Sequence, residues 1–249
     1  MDTFINLKKW LGINDNLYIN NKDNTRGIYS TKHINENDII LHIPINHIIT
    51  VNSIENDMPI LKSTGLIDSL KSKNAVIALY LVILDATKNR FWKPYLDSIP
   101  TSIDHVIYYN KSNMAFFKNT TLLDRNYQYN YYNYMELINN DFDLIYKWVG
   151  QYIPNLCKNA NTFRKLYLKF RALTGSRVFS FNVHGDISNT TGLVPYADLF
   201  NHSDVSNTTW YYNNNTNEFE LKATNYIPAN TQIYDSYGSK NNYKLFSIK

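Results

Sequence analysis

The spacing of apolar residues changes period along the chain and divides it into stretches. Over residues 1–16, Phe4, Leu7 and Leu11 recur at helical spacing, and Gly12 ends the run. From residue 17 the period shortens. Residues 17–19, 26–31, 39–44 and 47–51 read as short strands, separated by polar turns at 20–24 and 34–38, with Pro44 closing the third. Helical spacing then returns. The run from Asn74 to Thr87 is apolar nearly all round, through Val76, Ile77, Leu79, Leu81, Val82 and Leu84, so it predicts a buried helix capped by Asn74. Residues 91–100 are an aromatic, proline-punctuated connector. Residues 126–140 and 141–149 read as two further helices. Thr162 is expected to cap an amphipathic helix that buries Phe163, Leu166, Tyr167, Phe170 and Leu173. Arg164, Lys165, Lys169 and Arg171 lie on its other face, and Gly175 ends it.

After Gly175 the strand period resumes. Residues 177–181 are one strand. Residues 208–212 and 218–223 form a hairpin around an asparagine turn, 226–231 a loop, and 232–238 the last strand; a helix begins at 240. This order of strands, helices and strands predicts an α+β fold of short antiparallel strands split by a helical insert, rather than domains in tandem. The expected divisions are residues 1–52 (N-terminal helix and first half of the β core), 53–165 (insert) and 166–249 (second half).

Composition narrows the classes. Apolar residues make up 44% of 249, ordinary for a globular chain, and the net charge of +4 is mild. Lys8 and Lys9 form the longest basic cluster, too weak to suggest direct nucleic-acid binding. Cys157 is the only cysteine, which excludes an intrachain disulfide and a multi-cysteine zinc site; without a neighbouring base it reads as a buried, inert thiol. The longest apolar run, residues 75–84, is too short to span a bilayer, and the N-terminus does not read as a secretory signal. The expectation is a soluble intracellular protein, cytoplasmic or nuclear, with no membrane contact.

Candidate chemistry concentrates at residues 192–203. An apolar lead-in is followed within six residues by Asp198, Asn201, His202 and Ser203. Taken alone, such a stretch reads as an Asx-rich turn. His202 with Asp198 and Ser203 does not suggest a hydrolase triad, because no Gly-x-Ser-x-Gly elbow exists and sequence neighbours do not easily adopt triad geometry. His33, His42, His47, His105 and His184 have no metal-ligand spacing.

The stretch gains meaning from segments near both ends of the chain. Residues 25–30 with 34–44, the Ser-Arg-x-Phe of 176–179, the Leu-x-Pro-x-Ala-Asp-x-x-Asn-His-Ser of 193–203, and residues 227–238 with Tyr237-Gly238 and then Asn242 occur in one order. In this the chain resembles the SET-domain methyltransferases of the Rubisco large-subunit methyltransferase type, a split-SET group that includes lysine and actin-histidine methyltransferases. The resemblance covers residues 17–51 and 166–249 and implies a SET-type β-clip. It implies S-adenosylmethionine as cofactor and a protein substrate, with a lysine amine as the expected acceptor and histidine as the alternative. It implies that Asn24, Thr25 and Arg26 contact the cofactor through their backbone. Arg177 would hold its carboxylate, and Asn201 and His202 its amine and adenine edge. Asp198 would brace the loop, and Tyr237 would be the catalytic tyrosine. These residue types suit methyl transfer from a sulfonium, which needs alignment, a neutral nucleophile and a dry channel more than a strong base.

Two departures accompany the resemblance. The family has Gly-x-Gly where this chain has Thr25-Arg26-Gly27, so one close-approach glycine is missing. The family also continues into a Tyr-Gly-Phe segment and a helical substrate-binding domain, expected to be absent here, leaving Phe246 or a partner to cover the adenine side. These departures motivate a different class of reading, a SET-like protein-binding module without turnover.

Overall fold

The computed structural model describes residues 2–13, 16–22, 25–128, 130–183 and 190–238. In chain order the elements are α1 (Asp2–Leu11), β1 (Leu17–Lys22), β2 (Thr25–Ser30), β3 (Ile39–Pro44), β4 (Ile49–Thr50), α2 (Val51–Asp57), α3 (Pro59–Ser63), α4 (Leu66–Ser69), α5 (Lys73–Ala86), α6 (Lys93–Ser98), α7 (Lys111–Ala115), α8 (Tyr131–Tyr152), α9 (Ala160–Arg177), β5 (Val178–Phe181), β6 (Thr190–Leu193), β7 (Asn201–His202), β8 (Thr208–Asn213), β9 (Glu218–Ala223) and β10 (Gln232–Asp235). They fall into two compact units. The first holds the described residues of Met1–Ile49, Phe91–Ile99 and Val178–Ser239; the second holds those of Thr50–Arg90 and Pro100–Arg177. The aromatic connector therefore groups with the strands, apart from the helical residues on either side of it.

The first unit is built from short strands. A four-stranded sheet has the order β1-β2-β10-β7. β1 and β10 both run antiparallel to β2, whereas β7 runs parallel to β10. A second sheet places β9 between β3 and β8, with Leu41 opposite Leu221 and Ile43 opposite Phe219. Strand alternation puts Leu41 and Ile43 in the core and His42 outside, as period-2 patterning requires. Phe179 and Phe181 of β5 pack edge-on against Phe219, so the hairpin of β5 and β6 shares that core. Helix α1 buries Leu7 and Leu11 and packs on α6, which also brings Trp10 against Trp92.

In the second unit α5 is buried from Ala75 to Leu84 and packs along α9. The sequence misplaces several features here. Residues 47–51 form only the two-residue β4. Thr50 instead caps α2 through a reciprocal capping box with Ser53, and this local bonding ends the strand. Ser72 is the N-cap of α5, and Asn74 lies inside the helix. Residues 126–149 do not form two helices; a single 22-residue helix, α8, starts at the Asn130 cap. Helix α9 begins before Thr162, where Asn159 accepts from the Thr162 N–H, and passes through Gly175 to Arg177. Arg171, expected on its solvent face, is 2% exposed. It lies against Ser72, to whose hydroxyl it donates at 3.3 Å.

In the first unit β1 runs to Lys22 through the expected turn, and the last strand stops at Asp235. The expected buried thiol of Cys157 is partly exposed and donates to the Pro154 carbonyl. The predicted C-terminal helix, with Asn242 and Phe246, and His184 and Asn24 lie outside the described residues. Among the described residues no helix is long and apolar enough to cross a membrane, and no group of three or more His, Cys, Asp or Glu side chains could hold a metal ion.

Candidate functional site

Residues 192–203 leave β6 and turn sharply. Tyr196 takes φ 70°, ψ −42°, a conformation a bulky side chain enters only under constraint. Its ring is fully buried and meets Phe200 edge-on, and that burial pushes its phenol upward. One turn of 3-10 helix (Ala197–Leu199) follows. Asp198 on this turn accepts a 3.0 Å hydrogen bond from the hydroxyl of Tyr95, a buried residue of α6. The loop is thus tied to a segment about a hundred residues earlier.

The chain then enters β7, where the polar residues converge. Asn201 donates its side-chain amide to the Arg26 carbonyl of β2 at 2.6 Å. His202 stacks on Tyr237, with ring centroids 5.0 Å apart. Its Nδ1 accepts from the Tyr237 backbone N–H at 3.1 Å, which assigns the ring proton of the neutral tautomer to Nε2. Nε2 lies 3.3 Å from a carboxylate oxygen of fully exposed Asp204, a pair worth little energetically. The Tyr237 hydroxyl donates to the Phe200 carbonyl at 3.0 Å. Tyr237 is therefore fixed at both ends by the loop that carries Asn201 and His202.

On the other edge of β10, Gln232 organises a second network. Its Oε1 accepts from both Tyr29 and Tyr234, each at 3.0 Å. Its amide lies over buried Gly27, where a Cβ would come within 2.3 Å of Nε2. The glycine of Thr25-Arg26-Gly27 thus makes room for Gln232. Asn207 completes the support: its side chain donates to the Gln232 carbonyl and accepts from the Tyr234 N–H, pairing with β10 much as another strand would.

The structure brings Arg26, Asn201, His202 and Tyr237 together in the first unit, with Asp198 holding the approach loop. The Arg26 guanidinium lies 5.6 Å from the Phe4 ring. Thr25 opens β2 opposite Lys22. Asn24 lies outside the described residues, and Arg177 is the last residue of α9, grouped with the helical unit. Sequence reasoning missed Tyr95, Asn207, Gln232 and Asp235. Of these, only Asp235 carries a sequence signal, as an acid placed inside an apolar strand two residues before Tyr237. Burial pushes its carboxyl up to about 6, against the opposing pulls of the Ser236 N–H and the His202 ring.

Comparison with known proteins matches this architecture. The family model for the SET domain matches residues 25–238. Among curated proteins, the actin-histidine N-methyltransferase of Dasypus novemcinctus is 25% identical over 97% of this chain and 41% of its own length. The Homo sapiens and Mus musculus proteins of that name are each 24% identical over the same shares. The chain thus spans about two fifths of the length of these relatives. Among solved structures, the SET domain of LSMT bound to lysine and AdoHcy matches with a TM-score of 0.75 and 20% identity, over 99% of this chain and 56% of that one. Rubisco LSMT bound to AdoMet matches with a TM-score of 0.68 and 19% identity, over 99% and 55%. These likenesses show a common fold, and the match of the family model across most of the sequence shows that this chain belongs to the SET-domain family.

Proposed function

We propose that the chain is an S-adenosylmethionine-dependent protein methyltransferase acting on a side-chain nitrogen of a protein substrate. The observation that carries this reading is the convergence of Asn201, His202 and Tyr237 where β7 meets β10. The donor set fits the cofactor. Asn201 commits its amide nitrogen to Arg26, and its Oδ1 makes no hydrogen bond among the described residues, which suits it to accept from an ammonium. The Thr25 and Arg26 backbone would line the same side. S-adenosylmethionine, when bound, supplies an electrophilic methyl group on a sulfonium.

The protein's own part is alignment. Because the Tyr237 hydroxyl donates to Phe200, its oxygen presents lone pairs that can accept an N–H of the incoming nucleophile. That contact orients the nitrogen lone pair and requires no ionised phenol. Stacking on His202 fixes the plane of the phenol ring. Such positioning is the term that in-line transfer needs most.

Two acceptors each have support. The names of the curated relatives favour histidine, whereas lysine, expected from the sequence, is the ligand in the LSMT structure. Radiolabelled methyl transfer into a lysate, followed by amino-acid analysis of the labelled band, distinguishes methylhistidine from methyllysine. Tyr237→Phe should reduce the label at least about tenfold while S-adenosylhomocysteine binding survives. A folded chain that takes up no S-adenosylhomocysteine by titration calorimetry would sink the proposal and leave the binding-module reading.

A further inference from the structure

Asp235 is 2% exposed, on the strand that leads directly into Tyr237. Its Oδ1 accepts from the Ser236 N–H at 2.7 Å, and its carbonyl accepts from the Ser203 N–H at 3.0 Å. Across the parallel pair its register partner is His202. The surrounding elements carry few other titratable groups. β7 brings His202, with Asp204 beyond it; β2 carries Arg26 and Tyr29, β8 carries Tyr211 and Tyr212, and the chain around β10 carries Tyr234 and Tyr237. Of these, only His202 moves the Asp235 carboxyl.

A carboxyl raised above its unfolded value holds its proton more tightly in the fold, so ionising it opposes folding. An amide of the same shape could accept the Ser236 N–H without that penalty. What the acid adds is charge, placed one peptide away from Tyr237.

We propose that Asp235 is a positioning residue whose ionised carboxylate anchors the Ser236 peptide and so holds the Tyr237 backbone against His202. A charged acceptor makes the stronger hydrogen bond. That bond fixes the peptide leading into Tyr237, whose N–H meets His202 Nδ1 and whose hydroxyl meets Phe200. A protonated Asp235 is a weaker acceptor and loosens the tyrosine. The consequence for catalysis rests on the methyl-transfer reading; the anchoring does not.

Asp235→Asn tests it. In the free wild-type chain the Ser236 and Tyr237 amide resonances should titrate with a midpoint near 6, and in the variant they should not. The variant should be more heat-stable than wild type at about pH 8, with the difference vanishing below about pH 4. It should also transfer methyl groups about tenfold more slowly at pH 8 and lack the acid limb of the wild-type profile. Should Asp235→Asn fail to fold, His202→Gln serves, because removing the ring's pull should raise the midpoint of the Tyr237 amide titration. A Tyr237 amide indifferent to pH in wild type, an unchanged midpoint in His202→Gln, or wild-type transfer and pH profile in Asp235→Asn would overturn the proposal. If wild type transfers no methyl group while the amide titrates and Asp235→Asn abolishes that titration, the methyl-transfer reading fails and the anchoring stands.

Discussion

Asn201 donates its side-chain amide to the main-chain carbonyl of Arg26, 2.6 Å away and 175 residues earlier in the sequence. The strands that carry them, β7 and β2, are not neighbours; β10 stands between them. A single side chain therefore clasps the two flanks of the strand that leads into Tyr237. Asn201→Ala should weaken S-adenosylhomocysteine binding about tenfold and lower stability by about 1 kcal/mol, the usual loss for one such hydrogen bond. Calorimetric titration and thermal unfolding check the two effects separately.

Gly27→Ala should be more damaging than a single methyl group suggests. The added Cβ meets the Gln232 amide at 2.3 Å, and Gln232 cannot move without losing its bonds to Tyr29 and Tyr234. A loss of roughly 1–3 kcal/mol is expected from overpacking. Gln232→Ala should relieve the clash. Denaturant unfolding of both single variants and the double variant should therefore show a favourable coupling, and simple additivity would argue against this contact.

Tyr95→Phe removes the hydroxyl that donates to Asp198 and leaves the rest of the buried ring in place. The Asp198 carboxylate loses a buried partner, a change worth about 1–3 kcal/mol. Because Asp198 sits in the turn before Asn201, hydrogen exchange should quicken over residues 196–202 in this variant. An unchanged exchange pattern there would show that Asp198 does not hold the loop through Tyr95.

In the helical unit, burial raises the Asp141 carboxyl, while the Lys71 N–H and the Arg171 guanidinium pull it back down. Arg171→Met removes one of these pulls and should cost on the order of 2 kcal/mol at neutral pH. The sign follows from the raised carboxyl: the fold holds the Asp141 proton more tightly than the unfolded chain does. The variant's deficit should therefore grow as pH rises through the raised range of the Asp141 carboxyl and vanish on acidification below that range. Adding Asp141→Asn should recover most of the loss and flatten its pH dependence, as read by chemical denaturation across pH.

Much of the strand layout could be read from apolar spacing alone. β3 ends at Pro44, where the backbone donor disappears, and the asparagine turn between β8 and β9 separates two alternating runs. The arrangement of Asn201, His202 and Tyr237 came from ordered motifs rather than from periodicity. What stayed hidden was set by contacts distant in sequence or by local bonding that overrides pattern. Nothing in the helical spacing of Arg171 shows that it turns inward toward Ser72. The apolar run at 47–51 looks like a strand until Thr50 and Ser53 exchange hydrogen bonds. Asn207 reads as an ordinary loop residue, because its match to β10 exists only once β10 has arrived.

The central position of β10 also has a consequence for biogenesis. β2 is made early, but the strand that completes its second edge is made about two hundred residues later. Until then β2 presents an open edge beside its pairing with β1, and Asn201 and His202 of β7 have no strand to lie along. Synthesis should therefore pass through a long interval in which the early hairpin exists and the convergence of Asn201, His202 and Tyr237 does not, which makes this edge the natural client site for a chaperone.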